Sequence, residues 1–351
     1  MTMEAQFSKH ILKFKRPGGT SRGVLHTKET YFLRVEDQGR IGYGECAIFR
    51  GLSCDDRPDY EQRLRWLCEN ISRDIGHLKV ELLEYPSIHF GLEQAMLSLN
   101  GSDPYTLFPS AFTDGEDRIL INGLIWMGNR EFMKTQIEEK LREGFTTIKL
   151  KIGAMDFETE LGLLRFIREQ YTAAEIEIRV DANGAFSPEE ATEKLKQLSE
   201  FAIHSIEQPI RAGQWEEMAG LCEKSPVPIA LDEELIGVFT YAEKLRLLQA
   251  LDPEYLIIKP SLTGGVDGTL DWLRACRENQ VGWWITSALE SNLGLNAIAQ
   301  FTYVLNNPLP QGLGTGGLFT NNLTSPLHVK EGALWYDPDQ KWGDLGNLFG
   351  E

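Results

Sequence analysis

From about Asp117 onward, short β-branched or aromatic runs alternate with longer amphipathic stretches, the pattern of successive β–α units around a parallel sheet. Eight runs read as strands: Ile119 to Trp126, Thr147 to Ile152, Glu177 to Asp181, His204 to Glu207, Ile229 to Asp232, Tyr255 to Lys259, Gly282 to Thr286, and a weak last one near Leu309 to Leu313. The segments between them, such as Phe157 to Glu169 and Ser187 to Ser199, have helical periodicity. Ser187-Pro188-Glu189-Glu190 supplies an N-cap with proline at the first helical position. Eight such units in series predict an α/β fold closed as a TIM-like barrel over residues 117–324. Residues 1–116 follow another pattern, with alternating strands around Thr30 to Glu36 and Gly39 to Gly44 and helices near Tyr60 to Ile75 and Ser87 to Leu99. They read as a separate α+β domain. Within it, Pro17-Gly18-Gly19-Thr20-Ser21-Arg22-Gly23 is either a mobile loop able to close over a ligand or a plain surface hairpin. The tail, residues 325–351, carries Trp335, Tyr336, Trp342 and Phe349, and is expected to pack back on the body.

Composition narrows the partners. With 351 residues, 42% hydrophobic and 25% charged, the chain can bury a large core. Its net charge of -17 argues against nucleic acid or an anionic membrane, because both reward clustered Lys and Arg. Five scattered cysteines, without a close Cys-x-x-Cys pair, support neither a disulfide framework nor a zinc knuckle, and read as reduced residues of a cytoplasmic protein. No apolar run suggests export or membrane insertion. A homo-oligomer is compatible with the sequence, which does not specify one.

Chemistry concentrates at the strand ends. In Ile148-Lys149-Leu150-Lys151-Ile152-Gly153 the two lysines share one face of a strand and the apolar residues the other. Two crowded, buried ammonium groups disfavour each other's charge, so at least one is expected to titrate low enough to act as a base. Taken alone, an edge strand with solvated lysines fits as well. Three further strands, however, end in acids: Asp181 in Val180-Asp181-Ala182-Asn183, Glu207 in Ile206-Glu207-Gln208-Pro209, and Asp232 in Leu231-Asp232-Glu233-Glu234. Each is one β–α unit from the next, so all three project at the same barrel rim. A single strand-end Asp is usually a helix cap, but three carboxylates together repel and suit a hard divalent cation such as Mg²⁺. Lys259, ending the sixth strand, lies across the mouth from Lys149 and Lys151, so a ligand on the cation would sit between two acid/base groups. A divalent metal with a lysine base is what proton removal beside a carboxylate requires.

Lys149-x-Lys151, Asp181-x-Asn183, Glu207-Gln208-Pro209, Asp232-Glu233 and Lys259-Pro260 together resemble the enolase superfamily, in its muconate-lactonising subgroup. The resemblance covers nearly the whole chain. It implies a (β/α)₇β barrel under an amino-terminal cap completed by the carboxy-terminal tail. It also implies Mg²⁺, with Mn²⁺ as a substitute, on Asp181, Glu207 and Asp232. Lys151 and Lys259 would be acid/base groups on opposite faces of a small carboxylate substrate, with Lys149 tuning Lys151.

Weaker signals bear on the subgroup member. Ser287-Ala288-Leu289-Glu290-Ser291-Asn292-Leu293-Gly294 and Gly312-Leu313-Gly314-Thr315 resemble loops of the o-succinylbenzoate synthases, and Ile48-Phe49-Arg50-Gly51-Leu52-Ser53 resembles their cap loop, apart from Phe49-Arg50. No acid stands in the loop from Gly312 to Phe319, so a substrate ammonium would lack a counter-charge there. The resemblance implies dehydration of 2-succinyl-6-hydroxy-2,4-cyclohexadiene-1-carboxylate to o-succinylbenzoate, in menaquinone biosynthesis, through an enediolate. Place at the rim and resemblance together nominate Arg179, Asn183, Ser287, Ser291, Gly312, Leu313 and Thr315 as substrate contacts, with Arg22 on the loop that excludes water. Three alternatives stay open: a racemase or epimerase of N-acylated amino acids or dipeptides, a muconate-type cycloisomerase, and a barrel that only binds a ligand.

Overall fold

The computed structural model describes residues 3–20 and 23–350. A three-stranded antiparallel sheet opens the chain: β1 (Glu4–Thr20), β2 (Gly23–Asp37) and β3 (Arg40–Cys46), in that order. Helices α1 (Tyr60–Asn70), α2 (Ile75–Glu81) and α3 (Pro86–Asn100) follow, and α3 packs on β3. Tyr31, Leu33 and Val35 on β2 alternate into a buried core with Leu64 and Leu67 of α1 and Ile88 and Leu92 of α3. Two of these elements, β1 and α2, were not anticipated from the sequence. Charged and polar residues interrupt the apolar pattern of β1, which long-range pairing with β2 nonetheless holds extended.

The barrel strands are β5 (Gly123–Ile125), β6 (Thr147–Lys151), β7 (Glu177–Asp181), β8 (Ser205–Glu207), β9 (Ile229–Leu231), β10 (Tyr255–Ile258) and β11 (Gly282–Ile285), all parallel and adjacent in sequence order. The helices between them are α4 (Arg130–Arg142), α5 (Phe157–Arg168), α6 (Pro188–Ser199), α7 (Trp215–Lys224), α8 (Tyr241–Leu251), the short α9 (Pro260–Thr263) and α10 (Gly265–Asn279), with α11 (Asn292–Val304) after β11. Local capping starts several: the Ser187 hydroxyl accepts from the Glu190 N–H ahead of Pro188, and Thr240 with Glu243 forms a capping box. Ile148 and Leu150 face outward into the main core, while Lys149 and Lys151 face the barrel interior.

Both ends of the predicted eight-strand series differ from expectation. The first predicted strand divides. Ile119–Leu120 is β4, and it pairs with the tail hairpin of β12 (Leu327–Lys330) and β13 (Ala333–Tyr336), leaving only Gly123–Ile125 in the barrel. The weak eighth strand shrinks to Gln311 and Gly312, which close the ring through parallel bridges to Ile121 and Thr286. Backbone bonds hold this closure: Gly312 N–H donates to the Ile285 carbonyl at 2.8 Å and Asn122 N–H to that of Gln311 at 2.9 Å. The prolines and glycines around this segment leave little sheet-forming sequence.

Cap, barrel and tail share contacts. Trp342 stacks on Tyr105 at 4.6 Å between centroids, and Leu345 is buried with Phe32 and Tyr43. No helix among the described residues is long and apolar enough to cross a membrane.

Candidate active site

Strand register brings the acids together. Lys151 of β6 lies beside Asp181 of β7, and Asp181 beside Glu207 of β8. Glu207 pairs with Ala230 of β9, two residues before Asp232. All three carboxylates are buried, at 1%, 2% and 3% exposure respectively. Lys151 Nζ donates to Asp181 Oδ2 at 2.9 Å and to Asn183 Oδ1 at 2.7 Å. Lys149 Nζ is 3.1 Å from Asp181 Oδ2 and pairs with Glu207. From the far side, Lys259 pairs with Asp232 and stands 3.9 Å from Glu207 Oε1. Backbone strain marks the same rim: Asn183 and Gln208 have φ of 45° and 41°, left-handed values rare outside glycine. In that conformation the Asn183 N–H holds Asp181 Oδ1 at 3.0 Å, and the Gln208 amide oxygen holds the Asp232 N–H at 3.2 Å.

The electrostatics depart from the crowded-lysine expectation. Burial pushes the Lys149 ammonium down, but Asp181 and Glu207 outweigh it and carry the group above its ordinary range. Lys259 is likewise raised, with Asp232 and Glu207 overcoming burial. One neighbouring ammonium cannot match several facing carboxylates. Glu207 is held well above the usual carboxylate range by burial and by Asp181, whereas the three lysines overcome burial at Asp181 and hold it below. Both oxygens of Glu207 are fully buried, and lysine ammonium groups are what face them. Three buried carboxylates at the ends of adjacent strands, met here by lysine ammonium groups, offer the all-oxygen donor set that suits a hard divalent cation.

One pocket lies above these groups. Lys149, Lys151, Asp181, Asn183 and Lys259 form its charged floor. Leu124, Trp126, Leu262, Ala288 and Leu289 form apolar walls, and the cap contributes Leu25, Phe49 and Leu52. Asn122, Thr286, Ser287, Gly312, Gly314 and Thr315 complete the lining. Asn122, Leu124 and Trp126 escaped sequence reasoning, although their period of two is the signal of one strand face.

The other nominated contacts are placed elsewhere. Arg179 sits one pleat below Asp181. There it donates to Glu177 and the Pro310 carbonyl, both at 2.8 Å, and lies 4.2 Å over the Trp284 ring. Ser291 is buried beneath the cap, its hydroxyl donating to Glu45 at 2.5 Å. Leu313 points into the core, because alternation turns only its neighbours Gly312 and Gly314 to the pocket. Arg22 lies outside the described residues. The glycine-rich stretch 17–20 is not a free loop but the end of β1, with Gly18 paired to Leu25 and Gly19 to Val24. Phe14 of the same strand packs on Phe319 at 4.8 Å, seating the hairpin over the mouth.

A cap, a parallel barrel and carboxylates on three consecutive strand ends define a class of enzyme. Residues 133–340 match the family described as enolase C-terminal domain-like, and the chain belongs to the enolase superfamily. It is 47% identical to an o-succinylbenzoate synthase of Desulfotalea psychrophila, over 95% of this chain and 98% of that one. The crystal structure of MenC from the same organism superposes with a TM-score of 0.85 at 43% identity, covering 95% of this chain and 100% of the other. More distant is the L-Ala-D/L-Glu epimerase of Bacillus subtilis, 23% identical over 84% of this chain and 82% of its own length.

Proposed function

We propose that this chain is a carbon–oxygen lyase that dehydrates 2-succinyl-6-hydroxy-2,4-cyclohexadiene-1-carboxylate to o-succinylbenzoate, in the cytoplasm and in the service of menaquinone synthesis. The observation that carries this reading is the placing of Lys151 and Lys259 in one pocket whose other walls are apolar or uncharged above the Lys149–Asp181 floor. The ring sits between the two ammonium groups, and its carboxylate points to the buried acids. A divalent cation, Mg²⁺ or Mn²⁺ in its place, held by Asp181, Glu207 and Asp232, would draw off the negative charge that develops on that carboxylate.

Lys151, oriented by Asn183 and Asp181, accepts the proton from the ring carbon bearing the carboxylate. It then returns a proton to the ring hydroxyl as the carbon–oxygen bond breaks, so that water leaves and the ring becomes aromatic. Lys259 stays charged throughout, stabilising the developing anion from the opposite face and contacting the aromatic ring as a cation. Lys149, paired with Glu207 and Asp181, keeps the buried acids from repelling one another. Leu25, Phe49 and Leu52 exclude water from the reacting face.

A peptide-type substrate fits less well, since among the described residues Asp181, on the floor, is the only carboxylate lining the pocket and none lines its rim to meet an ammonium group. The direct test is turnover of the cyclohexadiene substrate, followed by loss of its absorbance. Exchange of an α-proton of dipeptides or N-acylated amino acids with deuterated water, in the absence of dehydration, would assign the chain to the epimerases instead.

A further inference from the structure

Away from the barrel mouth, cap and barrel meet at a mixed cluster that no step of the proposed reaction uses. His89 and Glu93 stand one turn apart on α3, so their side chains share a face. Asp267, in the first turn of α10, comes to meet them. One ligand atom from each residue lies within 4.8 Å of the other two. His89 Nε2 is 3.5 Å from Glu93 Oε1 and 3.9 Å from Asp267 Oδ2. Two ligands on a tetrahedral Zn²⁺, with bonds of about 2.1 Å, stand roughly 3.4 Å apart, so small side-chain rotations would bring the three onto one ion.

The imidazole is the telling group. His89 is 5% exposed, yet neither ring nitrogen makes a hydrogen bond among the described residues. Leaving a buried imidazole without a partner is costly, and a metal ion between its Nε2 and the two carboxylates would supply one. Positive charge already occupies the approach: Lys79 of α2 places its Nζ 2.9 Å from Glu93 Oε1 and 2.7 Å from Asp267 Oδ2. That ammonium serves the carboxylates but makes no bond to the imidazole, and its side chain is 27% exposed, so it can swing out to water. Glu93 is fixed in advance. Its Oε2 accepts the Val266 N–H at 2.6 Å and its Oε1 the Asp267 N–H at 3.3 Å. A Cβ on Gly265 would fall 2.1 Å from Glu93 Oε2, so glycine at the start of α10 admits this approach. A surface hollow lined by Lys79, Glu93, Val266 and Asp267 gives an ion a route in from solvent.

We propose that His89, Glu93 and Asp267 form a second metal site, separate from the acids of the barrel, that takes Zn²⁺ in exchange for the Lys79 ammonium and staples a cap helix to a barrel helix. An imidazole nitrogen beside two carboxylates suits zinc, whereas Mg²⁺ prefers oxygen alone. Asp267, its side chain 54% exposed, leaves a further position open to water. The site does not depend on which substrate the barrel takes. The test is calorimetric titration of Zn²⁺ into the Mg²⁺-saturated enzyme and three variants. Wild type is expected to bind one equivalent of Zn²⁺ more than His89→Leu or Asp267→Ala. Lys79→Met, freed of the competing ammonium, is expected to bind that equivalent about tenfold more tightly. Zinc taken up by the catalytic acids is common to all four proteins and cancels in the comparison. Asp267→Ala alters a half-exposed side chain, so the comparison stands even where His89→Leu fails to fold. An ion that binds only the folded chain stabilises it, so Zn²⁺ should also raise the thermal midpoint of wild type by more than that of Asp267→Ala. The same zinc stoichiometry in wild type and Asp267→Ala overturns the site, and a Lys79→Met enzyme that binds zinc no more tightly than wild type overturns the exchange.

Discussion

Lys151 and Lys259 approach the pocket from opposite sides with unequal surroundings, and that asymmetry separates their roles. Lys151 is steered by an amide and a carboxylate, whereas Lys259 is paired with carboxylates alone. Lys151→Ala is expected to lower kcat by roughly 10²- to 10⁴-fold, the range for a lost general acid/base, with divalent-cation binding retained by calorimetry. Near-normal turnover would remove Lys151 from the chemistry. Lys259→Ala is expected to cost about 3 kcal/mol of barrier, comparable to a lost oxyanion-hole donor; solvent hydrogen exchange into substrate at an undiminished rate would contradict that role. At this scale the sequence was readable where charged residues end several consecutive apolar strands, because helix capping or a solvated edge accounts for one such residue but not for the whole set. Arg179 misled because residues two apart on a strand share a face but not a height. One pleat separates the chemical layer from a structural one.

Elements decide how the cap meets the barrel. A Cβ on Gly19 would come within 2.5 Å of the Met127 carbonyl oxygen, and Met127 donates its N–H back to the Gly19 carbonyl at 3.3 Å. Gly19→Ala must therefore lift β1 from the end of the first barrel strand, at a cost of about 1 to 3 kcal/mol. The expected outcome is a several-fold rise in KM with a smaller change in kcat; unaltered kinetics would show that the hairpin does not govern the pocket. A second element-scale prediction concerns the loop that delivers Phe49 and Leu52. Asp55 anchors this loop to the start of α3, accepting the Ser87 N–H at 2.9 Å and its hydroxyl at 2.6 Å. Burial pushes the Asp55 carboxyl up to about 6 from an ordinary 3.8, against the lowering effect of the Ser87 bonds. Because the folded value lies above the unfolded one, the stabilising contribution is complete below about pH 4 and is lost as pH rises through 6. The loss amounts to about 3 kcal/mol. Urea unfolding at pH 4 and pH 7 should show that dependence in wild type and a flatter one in Asp55→Asn; equal slopes would exclude Asp55 as the source. Neither contact was legible beforehand, since both join segments far apart in the chain.

Across the whole molecule, the barrel mouth exists only after Ile121 and Asn122, just ahead of β5, have been brought round to meet Gln311, whose neighbour Gly312 joins the end of β11. The prediction at this scale is metal dependence: chelation should abolish turnover, Mg²⁺ should restore it with Mn²⁺ as a substitute, and Glu207→Gln should weaken cation binding by calorimetry. Full activity in chelator would contradict the assignment of the three acids. The sequence by itself determined the alternation of strands and helices, and with it the identity of the acids and lysines at the strand ends. Those follow from periodicity, which is local and survives without coordinates. Only the tertiary structure decided which rim residues face the pocket, that the first predicted strand is shared between barrel and tail, and that a cap hairpin closes the mouth. The physical reason is that pleat height, ring closure and domain docking are set by contacts between residues hundreds of positions apart, such as Glu45 with Ser291. No local pattern encodes such a distance.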